Sequence, residues 1–386
     1  MPARYDPPVP TPSMIPFAIC FLLSTAACAD VPRPAGGADG ADALALRDTT
    51  PPAPPPWTPR PIDARPDPAP PGSVRTGSLP SGTGTAGADG ADSAAADTAA
   101  RAASPRRFRP MVLTPADSAR WPVAGPEPLP GALLPGHRIV AYYGNTRSTR
   151  MGILGQLPRD EMLARLEETA TEWARADTTR KVMPALHLIA TVAQEKPGPG
   201  GKYRLRMGDS LIDEVARWAE ERGWIMFLDV QIGLSTLEAE LEPLLPFLAR
   251  PYVHLALDPE FAMTQGGIPG RRIGTLDASH VNHAIGVLAR LVDSLGIPPK
   301  VLVVHRFTRR MLTNHDQIRL DPRVQVVIQM DGFGAPWLKQ DAYKFFIVPE
   351  PVQYTGFKLF YKNDKPLMTP DEVIGLWPSP LYVQYQ

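Results

Sequence analysis

From about His137 to Gln386, short apolar runs alternate eight times with segments of helical period. This alternation constrains the fold more than any other feature. Residues 138–144, 181–193, 224–233, 252–260, 300–307, 324–334, 355–361 and 381–386 read as strands. Residues 160–177, 209–223, 237–250, 278–295, 309–319, 336–347 and 369–377 read as helices. Alternating βα units build a parallel sheet with right-handed crossovers. Eight units in about 250 residues are the size of a (β/α)8 TIM barrel. The near-continuous apolar runs suit strands buried on both faces. No helix follows the last strand, so the segment around 111–136 is expected to pack on the barrel as an N-terminal extension. It would cover either that gap or the barrel floor. The rival is a doubly wound open sheet. Its nucleotide-binding forms lose support because Tyr143-Gly144-Asn145 lacks GxGxxG, and no GxxxxGK[ST] occurs.

The chain before the barrel has a different character. Of 47 prolines, many crowd towards the N-terminus. Residues 29–110 are rich in Pro, Ala, Gly, Asp and Thr without an apolar period, and read as a disordered tether. Both cysteines, Cys20 and Cys28, lie in the first thirty residues. The stretch MIPFAICFLLSTAAC has a short apolar centre ending in small residues, too short to span a bilayer. Its end resembles the lipobox of bacterial lipoproteins. That resemblance implies a signal peptide over 1–28, lipidation of Cys28, export, and a membrane-anchored protein at the cell surface or periplasmic face. The lipid would be the only membrane contact.

Lys plus Arg and Asp plus Glu are 40 each, so the formal net charge is zero. A nucleic-acid partner would show as a basic excess or stripe, and neither is present. The chain is read as a monomer.

In a TIM barrel the chemistry sits at the C-terminal strand ends. The predicted strands end there in polar groups: Tyr142 and Tyr143; Asp229 and Gln231; Asp258 and Glu260; His305 and Arg306; Gln329 and Asp331; Lys358 and Tyr361; Gln384. His187 lies earlier in its strand and reads as a core residue. Residues two apart on a strand face the same side, so Asp258 and Glu260 share one pocket. Crowded carboxylates disfavour joint ionisation, and a protonated acid beside an ionised one is the equipment of glycosidic cleavage. Glu260, Asp258 and Asp229 are therefore the candidate catalytic residues. Tyr142, Tyr143, Gln231, His305, Asp331, Lys358, Tyr361 and Gln384 are the candidate substrate-binding residues. Capping of a loop, or pairing of the acids with Arg306 or Lys358, is the competing structural explanation. Phe333 and Trp337 join the tyrosines as possible stacking platforms for sugars.

The set AYYG…MGILG, LDVQIG, LALDPEFAM, PGRRIG, VVHRF, MDGFG, GFKLFYKND and YVQYQ resembles a group of secreted or lipid-anchored bacterial proteins common in actinobacteria. The resemblance spans 137–386 and implies a glycoside-hydrolase-like barrel. A weaker likeness is to chitinase-type barrels, whose fourth strand closes on a catalytic Glu. Here Glu260 fits that position, but Ala256 and Met330 stand where Asp and Tyr are expected. The expectation is a cell-surface carbohydrate-active hydrolase acting on a glycan or cell-wall polymer. Alternatives are a non-catalytic glycan-binding barrel and a metal-dependent hydrolase. No cofactor and no metal ligands are assigned, although acids at the rim leave a divalent ion open.

Overall fold

The computed structural model describes residues 57–63 and 114–386. The expected signal peptide and Cys28 lie outside the described residues, as does most of the expected tether.

The barrel is closed. Its strands are β1 (His137–Gly144), β2 (Lys181–Ala193), β3 (Ile225–Val230), β4 (Val253–Leu257), β5 (Lys300–Arg306), β6 (Val324–Met330), β7 (Tyr354–Leu359) and β8 (Tyr382–Tyr385). Each pairs in parallel with its sequence neighbour, and β1 also pairs with β8. Both faces of the strands are buried, which explains their almost unbroken apolar runs. Register sets the polar groups opposite one another: Tyr143 beside His187, His305 beside Gln329, and Lys358 beside Gln384.

Four longer helices cover the outside: α1 (Arg159–Ala176), α2 (Asp209–Arg222), α3 (Ala278–Leu295) and α4 (Pro336–Phe346). The first three turn an apolar stripe to the sheet, in α1 Met162, Leu163, Leu166, Ala170 and Trp173, whereas α4 buries Lys339 and Gln340 beside Ala342 and Tyr343. The predicted helix over 237–250 is instead broken into Leu237–Leu241, Glu242–Leu244 and Leu245–Leu248. Pro243 and Pro246 remove backbone donors and crowd the preceding turn. Over 309–319 there is no α-helix. Two 3-10 turns flank the two-residue strand Leu312–Thr313, which pairs with Leu276–Asp277. The Thr313 hydroxyl and the Asn314 amide donate to the Asp277 carboxylate, the N-cap of α3. These local side-chain bonds offer the backbone an alternative to the helix.

Among the described residues no helix follows β8; the short helix Pro370–Ile374 packs against α1 across the seam. The N-terminal extension lies on the floor. Thr114 and Asp117 form a capping box on Pro115–Arg120. The Trp121 indole donates to the Val348 carbonyl at 3.0 Å, and the Gln325 side-chain oxygen accepts from the Leu133 and Leu134 amides. One part of the span read as tether is also docked on the floor. Ile62 exchanges backbone hydrogen bonds with Val182 at 2.6 and 2.9 Å, Arg60 donates to Gly223, and Trp57 packs on Tyr252. Trp57 and Ile62 supply apolar contacts that the surrounding proline-rich composition hides.

Candidate functional site

Strand alternation decides which polar groups enter the barrel. Tyr143 points inward, so its neighbour Tyr142 points outward. The Tyr142 hydroxyl meets Thr169 of α1 at 2.7 Å and Tyr361 at 3.1 Å. Tyr361 stacks on Tyr385 and lies under Arg165. Neither Tyr142 nor Tyr361 reaches the barrel interior, so both leave the predicted substrate set. Arg306 also points outward, forming an ion pair with Glu350, so it is not the partner of the rim acids.

The other predicted residues converge. Asp229, Asp258, Gln231, His305, Asp331, Lys358, Gln384 and Tyr143 are all buried; Glu260 is partly exposed at the mouth. Asp258 caps the turn that carries Glu260: one of its oxygens accepts the Glu260 backbone N–H at 3.1 Å. The other accepts the Gln231 amide at 3.1 Å. Gln231 reaches on to the Tyr143 hydroxyl at 3.3 Å. Lys358 lies 3.1 and 3.2 Å from the two Asp331 oxygens and 3.9 Å above the Tyr143 ring. Asp331 also receives His305 Nδ1 at 2.8 Å.

Beneath these groups, His187 enters from β2. Its Nδ1 meets the Tyr382 hydroxyl at 2.5 Å and the Gln384 amide at 2.9 Å. Gln329 donates to Gln384, extending the network across β6 and β8. The His187 ring stacks on Phe227 at 5.3 Å, and Phe227 meets Tyr382 edge-on, closing the cluster from below. His187 Nε2 and His305 Nε2 each face the same Asp229 oxygen at 3.8 Å, beyond direct hydrogen-bond range. These two nitrogens and both Asp229 oxygens are buried with no hydrogen-bond partner in the protein. One ligand atom from each residue lies within 4.8 Å of the others, a grouping that could hold a metal ion.

The environment separates the acids by proton affinity. Burial alone would raise Asp229, but His305, His187 and Lys358 outweigh it and hold the carboxyl below its ordinary range. Asp331 is likewise held down, because Lys358 and His305 overcome its burial. Asp258 goes the other way: burial, reinforced by the charges of Asp229 and Asp331, raises it. Burial and the negative charges of Asp258 and Asp331 push Glu260 well above the usual carboxyl range. Burial depresses His187 to about 4, whereas the carboxylates Asp229 and Asp331 raise His305 against its burial. Carboxyls of opposed proton affinity therefore meet at one end of the barrel, an arrangement suited to proton transfer.

The core position read for His187 holds, since it is fully buried; its polar network, which takes in the strand-end Gln329 and also Tyr382, was not read. The signal for His187 was available: an imidazole inside a thirteen-residue apolar strand must find polar company or be costly to bury.

Comparison with known proteins finds no matching family model and no matching curated protein.

Proposed function

We propose that this chain is a carbohydrate-active hydrolase of glycosidase type, acting at the C-terminal mouth of the barrel. The observation that carries the reading is the opposed shift in proton affinity of two carboxyls at the C-terminal end of the barrel. Asp229 is held below the ordinary carboxyl range, while Glu260 at the mouth is pushed well above it. Glu260 is the general acid, giving its proton to the glycosidic oxygen as the bond to the leaving sugar breaks. Water supplies the hydroxyl group to the other product. Asp258 fixes the turn by accepting the Glu260 backbone N–H. Asp229 contributes permanent negative charge beneath, where an oxocarbenium-like transition state gains stabilisation. Lys358, His305, Gln231, Asp331 and Tyr143 offer hydrogen bonds and charge to sugar hydroxyls. Phe333, packed edge-on against Phe360 and 38% exposed, supplies an aromatic surface at the rim. Export by the N-terminal segment, lipidation at Cys28, a monomeric state and a glycan or cell-wall polymer as substrate complete the proposal.

A panel of polysaccharides and cell-wall preparations tests it with the wild type and Glu260→Gln. The expected result is turnover of at least one glycan, reduced in Glu260→Gln by roughly a hundredfold or more. Retention of glycan by both proteins without turnover would instead make the mouth a binding surface.

A further inference from the structure

We propose that His187, Asp229 and His305 form a binding site for a first-row divalent transition metal, of the zinc type, inside the barrel. The inference goes beyond glycan hydrolysis and stands whether or not the substrate is a sugar. It starts from the orphaned atoms. Burying a polar atom without a partner costs about 1–3 kcal/mol. Here His187 Nε2, His305 Nε2 and both Asp229 oxygens share that condition in one place. All three residues are fully buried, so bulk water does not serve them.

The outer atoms of the same side chains are, by contrast, held. His305 Nδ1–H donates to Asp331 at 2.8 Å, which directs the Nε2 lone pair towards Asp229. His187 Nδ1 stands 2.5 Å from the Tyr382 hydroxyl, which can accept from it and so leave the Nε2 lone pair of the second ring towards Asp229. A histidine ligand oriented by a carboxylate or hydroxyl on its far nitrogen is the usual support of a bound metal. Two imidazoles and one carboxylate suit zinc or a neighbouring transition ion better than magnesium or calcium, which prefer oxygen. The two 3.8 Å nitrogen–oxygen separations are somewhat wider than the roughly 3.4 Å that metal bonds of about 2.1 Å give at a tetrahedral angle. Binding would draw the three side chains together by a few tenths of an ångström. The ion would take Asp229 as a ligand and replace the fixed negative charge proposed for that residue above, with the acid role remaining on Glu260.

The test is zinc titration of the full chain by calorimetry after chelator treatment, with cobalt absorption spectra as an independent readout. His187→Ala and His305→Ala are compared with His254→Ala, an equally buried histidine of β4 outside the cluster. One equivalent of zinc is expected in the wild type and in His254→Ala. Affinity should fall at least about a hundredfold in the two ligand variants, and about tenfold or more in Asp331→Asn, which removes only an orienting partner. Asp331→Asn keeps the test decisive should a ligand variant fail to fold. No zinc binding by the wild type would overturn the proposal and mean that Tyr382 or Gln384 donates to His187 Nδ1, leaving the proton on Nε2. Equal binding by all four variants would also overturn it. Because no substrate enters the titration, its failure is separate from failure to find a hydrolysed glycan.

Discussion

At the residue scale, Lys358 is the side chain on which the charge balance of the site turns. It faces Asp331 and Tyr143 and lowers the proton affinity of Asp229, Asp258 and Glu260 as well. An acid catalyst must carry its proton, so hydrolysis should fall as pH rises through the elevated Glu260 value. Lys358→Met removes the nearby positive charge and raises that value further. The alkaline limb of the pH–rate profile should therefore move up by about one pH unit or more. A limb that stays in place would remove Glu260 from the acid role. The gathering of Asp258, Glu260 and Lys358 at one end of the barrel was legible because strand ends in a barrel are where polar side chains concentrate. Tyr142 was misread for a simple reason: two adjacent tyrosines on a strand cannot both face inward, and composition does not say which does. His187 was read as a core residue and is fully buried, but an apolar run conceals how deep the polar layer extends.

At the element scale, the seam between β8 and β1 carries the least covering, and a buried ion pair stands at its base. Arg138 at the start of β1 is fully buried and reaches Asp177, at the C-cap of α1, at 2.7 Å. It also donates to the Pro380 carbonyl just before β8. Asp177→Asn leaves the guanidinium without its counter-charge and should cost about 3 kcal/mol of unfolding free energy. Burial would raise the Asp177 carboxyl, but hydrogen bonds from Arg138 and Thr179 hold it at about 2. Its stabilising effect is therefore present above the ordinary value and lost as pH falls through the folded one. Urea unfolding at neutral pH and in acid should show a slope in the wild type between about pH 4 and pH 2, absent in Asp177→Asn. Element types were mostly readable from periodicity, caps and glycine stops. The exceptions lie where proline or side-chain bonds to backbone compete with the helix, at 237–250 and 309–319.

At the scale of the whole molecule, the barrel has two dissimilar ends. Acids and imidazoles occupy one; the other is roofed by residues 114–136 and by the strap Trp57–Asp63. Replacing Trp57 and Ile62 together by Ala should cost about 2 kcal/mol, lowering the melting temperature by about 4–8 °C. Glycan turnover, measured on the same samples, should not change. The eightfold alternation made the barrel readable, but the strap was not, because two apolar residues within a proline-rich stretch carry no period. Its position has a mechanical consequence. Tension applied through the N-terminal end of the chain enters the molecule at Val182 and Gly223, at the starts of β2 and β3. Such a pull peels a short strap before it can deform the opposite rim. A barrel held from that end turns its open mouth away from whatever holds it.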